Sequence, residues 1–548
     1  MDISRKLLAL LFLAGWACSE NQAQDTSLLP LYDGLSKYHR TVTTNSKEAQ
    51  EYFDQGLALY YGFNHEAAIL SFKQALVLDS NCVMAWWGQA ISSGPNINNT
   101  AMDDHAKIAA WETIVMAREQ LDKASAVEAM LINALSKRYT WPAPDDRRSL
   151  DLAYAGAMKE AYDEFPEDVD VAVLYADAMM NLRPWDLWTS EGIPQPGTGE
   201  IVTILERVLE KQPDHPGACH FYIHTMEASP FFAKALPAAD FLRNRMPGAG
   251  HLVHMPSHID IRLGSYEDAI TANLKAIEAD HIWIPSGGFY TMYRAHNYHF
   301  LAYAAMFDGQ KELALSASED LTDAIPLEVV RAYPDFLDGF IAVPTHVMVR
   351  FGMWDELIQQ VKPPEDLYLT TAFWHYGRTV AFAASGRVDE AISEYDALLT
   401  AYEQVPGSRL IGNNPGKTVL DIGVLMAKGE LEYRKGNHEE AFRLLRKAVQ
   451  KDDELRYDEP WGWMMPIRHS LGALLLEQDH YEEAIEVFRK DLEIHPHNGW
   501  SLKGLASCYH STGQHQKAIL TENLFDESWC RSDIQLKAAC FCSTPSPG

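Results

Sequence analysis

The feature that most constrains this chain is that it repeats itself, and the repeat unit is a pair of helices. In residues 50–80, Gly56 falls in a first helical stretch, Asn64-His65 forms a turn, and Ala68, Phe72 and Ala75 follow in a second stretch. Small residues with one large aromatic at these places suit two antiparallel helices whose backbones approach closely. The frame recurs as Gly264, Ala269 and Ala276; as Gly309 and Ala314; as Gly386 and Ala391; and as Gly436, Ala441 and Ala448. It returns as Leu471-Gly472, Ala484, Phe488 and Pro496, then as Leu505-Ala506, Tyr509, Gly513 and Ala518. One such pair cannot bury its apolar stripe alone, so neighbouring pairs must stack into a continuous core. Hydrophobic residues make up 47% of the 548 and charged residues 22%, which is globular composition.

This pattern resembles the tetratricopeptide repeat, with small residues at repeat positions 8, 20 and 27 and a large one at 24. The turns Gly264–Ala269 and Gly436–Ala441 come close to that family's own turn, and the resemblance covers most of residues 49–525. It implies an all-α superhelical solenoid with a concave groove lined by positions 2, 5, 9 and 12 of each first helix. Expected divisions are a signal peptide (1–23), a lead-in (24–48), an N-terminal helical block (49–210), a central block (211–360) and a C-terminal block (361–548). Residues 95–200 fit worst. They carry Gly94-Pro95-Asn96-Ile97-Asn98 and the loop Arg183-Pro184-Trp185-Asp186-Leu187-Trp188, so helices with non-standard connections are expected there.

The register sorts the 21 histidines. His65, His438 and His515 fall at the turn between helices and read as structural. His375 lies beside the groove face, and His469 falls on it alone. The central block differs: His220 and His224 take positions 5 and 9 of one repeat, and His254 and His258 the same positions of the next (254 − 220 = 34; 258 − 224 = 34). His251 stands at position 2 of that second repeat. His296 and His299 take positions 2 and 5 of the third, after an insertion, and His346 takes position 9 of the fourth. All eight are expected to point into one stretch of the groove, making it His-lined. Pro256 removes a helical donor, so His251 is expected to stand off the helix.

Histidines four residues apart share one helical face and can grip one ion. Adjacent helices lie ~10 Å apart, so imidazoles from two of them can close around it. Imidazole ligation favours copper or zinc over magnesium or calcium. Eight histidines could serve two ions with three ligands each, or one zinc with an open position. Glu227 extends the face of His220 and His224 as a catalytic candidate: a general base, or a partner of a ligand. The expectation is a metalloprotein, with a copper oxidoreductase favoured over a zinc hydrolase, and a small molecule or peptide in the groove. The alternative is a non-catalytic protein-interaction scaffold.

Arg5 and Lys6 precede the apolar run Leu7 to Ala17, which is shorter than the ~20 residues a bilayer span needs. Secretion or periplasmic export is therefore expected. Gly15-Trp16-Ala17-Cys18 resembles a bacterial lipoprotein box with Gly15 where that box prefers Leu, so a lipid anchor at Cys18 is the alternative. With 76 acidic against 46 basic residues, the net charge of −30 disfavours nucleic acid, and no transmembrane span is expected. Six further cysteines are too sparse to scaffold the fold, although Cys508, Cys530, Cys540 and Cys542 could form a bridge. Asn98-Asn99-Thr100 is a glycosylation acceptor in a eukaryotic source. The segments Phe63–Ala67, Gly94–Asn98, His220–His224 and His254–His258 resemble a group of exported bacterial-type tetratricopeptide proteins. That group has no established activity, so the likeness supports the fold and supplies no reaction.

Overall fold

The computed structural model describes residues 30–35, 38–282 and 289–542. The expected signal segment and Cys18 lie outside the described residues. The described chain is almost entirely helical, with a single two-stranded ribbon, Leu410–Ile411 against Asn414–Pro415. Successive helices pack as antiparallel pairs: Lys47–Tyr61 with His65–Leu78, Tyr368–Ala384 with Val388–Gln404, and Gly416–Arg434 with His438–Asp453. Ile467–Glu477 with Tyr481–Ile494 and Gly499–Ser511 with His515–Trp529 continue the series.

One packing device explains the repeat. The Phe72 ring is gripped by Gly56 and Gly88, where an added Cβ would meet ring atoms at 2.7 and 2.6 Å. Phe488 is held the same way by Gly472 and Gly504, at 2.5 and 2.3 Å. In both cases the ring stands 16 residues after one glycine and 16 before the next. The side chain of a second helix therefore wedges between two first helices, which fixes both the pairing and the stacking. Interiors packed to crystal density leave no slack at such a wedge. Where the chain reverses between paired helices, Gly264 (φ +77°) and Gly436 (φ +80°) supply the left-handed residue that other side chains resist. His65 stacks on Tyr60 at 5.3 Å and His438 on Tyr433 at 4.7 Å, the structural turn role read from the register.

Between residues 95 and 200 the connections are irregular, as expected. Asn96 folds an Asx turn in which its Oδ1 accepts from the backbone of Asn98 and Asn99. Residues 181–197 form a long loop between the helices Val169–Met180 and Thr198–Lys211. Trp188 anchors it by donating its indole N–H to the Thr225 carbonyl at 2.7 Å. Among the described cysteines, Cys540 and Cys542 are bonded to each other, Cys82, Cys219 and Cys508 are buried thiols, and Cys530 is exposed. No helix among the described residues is long and apolar enough to cross a membrane.

Candidate metal centre

Six of the eight predicted histidines converge. His220 and His224 sit one turn apart on the helix Pro216–Met226. His251 and His254 lie on the short helix Gly250–His254, and His258 lies on Pro256–Leu263. Pro256 interrupts the helix at Met255, yet Met255 keeps helical angles (φ −51°, ψ −35°), so the turn continues in register. His251 therefore stands on the helix, not off it. His296 enters from Tyr290–Asp308.

These side chains form two trios. His220, His224 and His251 make one, and His254, His258 and His296 the other; within each, ligand atoms lie within 4.8 Å of one another. The trios adjoin, with ring centroids of His224 and His258 5.6 Å apart and those of His251 and His254 5.8 Å apart. The groove expected from the repeat is closed at this point. Five of the six are at most 4% exposed, because aromatic rings and a C-terminal loop cover them.

Four of the six imidazoles are tied down from behind. The Tyr61 carbonyl can only accept, so His220 donates from Nδ1 at 2.6 Å, which leaves Nε2 with a bare lone pair. Asn273 donates its amide to the Ala269 carbonyl and turns its Oδ1 to His254 Nδ1 at 2.7 Å, fixing that tautomer too. Glu227 accepts from His224 Nδ1 through Oε1 at 2.8 Å and faces His258 Nδ1 with Oε2 at 2.5 Å. One carboxylate thus links the trios. Glu459 adds a second acceptor, with Oε2 2.7 Å from His258 Nδ1.

The front nitrogens are then left facing each other. His254 Nε2 lies 2.7 Å from His258 Nε2, and His220 Nε2 lies 3.1 Å from His251 Nε2. His224 Nε2 and His251 Nδ1 are buried without a partner. Two lone pairs at such distances repel unless a proton or a cation lies between them. Burial holds His220 down to about 3 and His296 to about 4, and His224, His251 and His254 well below the ordinary imidazole value. His220, His224 and His254, neutral and engaged through Nδ1, offer bare Nε2 atoms of the kind a transition metal requires. Burial first, then the neighbouring Glu459 charge, raises Glu227 well above the usual carboxyl range. Burial pushes Glu459 the same way, but the neighbouring His258 and hydrogen bonds from Glu227 and His258 outweigh it. The pair therefore shares a proton that resides on Glu227.

Each trio has an aromatic wall. Phe63 packs on His220, His251 and His224 at 4.5, 5.6 and 6.1 Å. Phe300 packs on His254, His258 and His296 at 4.9, 5.0 and 5.3 Å. Trp185 sets its ring against His224 at 5.5 Å, so the Trp-rich loop walls the site. Phe63 (φ +56°) and Trp185 (φ +59°) are two of four non-glycine residues with left-handed backbone among the described residues. Strained backbone of this kind collects at functional sites.

His299 and His346 stand apart from both trios and line a neighbouring cleft. In the third repeat the inward face is Tyr293, His296 and Phe300, spaced three and four apart, so His299 is rotated away from it. His346 packs against Phe373 and Trp463. His469, expected to be alone, is held between Asp491 (Nε2, 2.7 Å) and Arg350 (Nδ1, 2.8 Å). His375 pairs with Glu394. Sequence reasoning missed Glu459, Asn273, Phe63 and Phe300. Only Phe300 had a signal, standing four residues after His296.

A family profile described as Tetratricopeptide repeat matches residues 475–521. The match covers one helix pair and its neighbour, and the described chain as a whole has the fold of an all-α solenoid of tetratricopeptide type. Such solenoids are interaction scaffolds that present extended surfaces to partners. No curated protein matches. Among solved structures, the chain is similar to yeast Tom70, at 14% identity over 89% of this chain and 91% of that one, with a TM-score of 0.27. A human IFIT1 dimer with m7Gppp-AAAA is similar at 10% identity over 89% and 92%, with a TM-score of 0.30.

Proposed function

We propose that this chain is a dinuclear metalloprotein. His220, His224 and His251 hold one ion, and His254, His258 and His296 hold the other. The observation that carries the reading is the convergence of three imidazoles in each trio, with His220, His224 and His254 engaged through Nδ1 and left with Nε2 for an ion. An all-imidazole donor set favours copper, with zinc as the second choice. Bound copper would supply one-electron redox chemistry, which makes an oxidoreductase the favoured activity. The export expected from the first residues would place the protein where Cu(II) persists.

The chain's own residues have defined parts in this reading. Tyr61, Asn273 and Glu227 orient the ligands. Phe63 and Phe300 keep water off the imidazoles. Glu227, with both oxygens engaged by histidines, is a positioning residue here; a general-base role would require it to release one of them. His299 and His346 serve the adjoining cleft.

Elemental analysis of the purified full chain tests the proposal. Two ions per chain, falling to one when His220, His224 and His251 are replaced by Ala, is the expected result. Zinc in place of copper shifts the activity to hydrolysis. Well under one ion per chain overturns the reading and leaves the partner-binding scaffold that the repeat fold favours, for which pull-down of a protein partner is the measurement.

A further inference from the structure

The cleft beside the trios has a lining that no metal role accounts for. Phe336, Phe340, Ile411 and Met464 give it apolar walls, and Phe336 is 60% exposed at its mouth. Phe340 packs edge-on to His299 at 5.2 Å. Three buried polar atoms of lining residues lack any partner: Nδ1 of His299, Nδ1 of His346 and Oε1 of Glu459. Buried polar groups without partners are rare and call for a ligand or water. No lysine or arginine lines the cleft. Burial keeps His299 near 3 and His346 near 4, so both are neutral, and burial with the Glu459 charge raises Asp458 to about 8, so it carries a proton. Glu459 turns its Oε2 to His258 Nδ1 at 2.7 Å, and its Oε1 is the oxygen left without a partner.

We propose that this cleft binds a small, uncharged aromatic molecule bearing a hydroxyl group, a phenol in the simplest case. The ring lies between the apolar walls. The hydroxyl donates to Glu459 Oε1 and accepts from an imidazole N–H of His299 or His346, which matches one donor and one acceptor to the unpartnered atoms. A carboxylate would meet Glu459 with no cation to receive it, and a bare hydrocarbon would leave all three atoms unpaired. Because Glu459 also touches His258, the ligand sits against the second trio. Its role as a substrate rests on the dinuclear reading; its binding does not.

Calorimetric titration of the full chain with p-cresol, toluene, benzoate and benzylamine tests this. Saturable one-site binding of p-cresol is expected, with toluene at least tenfold weaker and no measurable benzoate or benzylamine binding. Gly462→Leu should weaken p-cresol at least tenfold. Gly462 lines the cleft, and a Cβ there meets nothing closer than 3.5 Å, so the backbone accepts a side chain at this wall. His299→Phe removes a nitrogen at similar shape and should bring p-cresol down toward toluene. Repeating the titration after dialysis against a chelator separates the two proposals. Retained p-cresol binding in protein that never held metal sustains the cleft and removes the dinuclear reading. Absence of saturable binding, equal binding of toluene, preference for benzylamine, or full binding by folded Gly462→Leu overturns the cleft proposal.

Discussion

Glu227→Gln isolates one interaction in the centre. The substitution keeps size and shape, and it resembles the protonated acid that burial enforces on Glu227. The amide differs in one respect. Glu227 faces imidazole N–H groups with both oxygens, Oε1 toward His224 and Oε2 toward His258. Glutamine has only one acceptor. Its oxygen keeps His224, and its NH2 takes the place of the oxygen that faces His258. That NH2 cannot accept from His258 Nδ1. His258 retains Glu459 Oε2 at 2.7 Å, so it loses one of two acceptors. Loss of such a partner behind a ligand lowers metal affinity about 10–100-fold, or about 1.4–2.7 kcal/mol. The loss should fall on the ion of His254, His258 and His296, while the ion of His220, His224 and His251 stays within about twofold. Competition titration against a chromophoric chelator, with circular dichroism to verify helicity, reads both constants. Two constants equal to wild type, or an equal loss at both sites, would refute the tautomer argument.

Other consequences follow from the same geometry. His220, His296, His299 and His346 have folded values lowered to about 3–4 against 6.5 in the unfolded chain. The unfolded state thus binds more protons between those values, and stability is complete above about pH 6.5 and falls as pH drops toward 4. Urea midpoints of metal-free protein at pH 7, 5.5 and 4.5 should decline in that order; a flat profile would remove the buried neutral imidazoles. His346→Ala should leave two ions bound, whereas His251→Ala should release one, as read by elemental analysis. Gly88→Ala places a Cβ 2.6 Å from the Phe72 ring and should destabilise the N-terminal pairs by about 1–3 kcal/mol in chemical denaturation, with no change in metal affinity.

The parts of this structure legible in the sequence are those governed by the repeat period. Gly56, Phe72 and Gly88 recur as Gly472, Phe488 and Gly504 because one steric wedge is used twice. The 34-residue spacing carried His220 and His224 onto His254 and His258, and the trios are built on those pairs. The period fails where the chain departs from it. The third helix, Tyr290–Asp308, turns Tyr293, His296 and Phe300 inward in place of His299. His346 follows the irregular turn Asp338–Ala342 and joins the cleft. Glu459 arrives from a loop 201 residues after His258 (459 − 258), held down where Arg262 stacks on Tyr457 at 5.6 Å. No local pattern encodes a contact between such distant segments. Burial was equally hidden, since a groove position reads the same whether open or covered.

Anomalous diffraction from crystals of the full chain, collected at the copper and zinc edges, tests the central claim most directly. Two peaks are expected, one at about 2.0–2.1 Å from nitrogens of His220, His224 and His251 and one at the same distance from those of His254, His258 and His296. Density between His254 and His258 with no anomalous signal at either edge would contradict it.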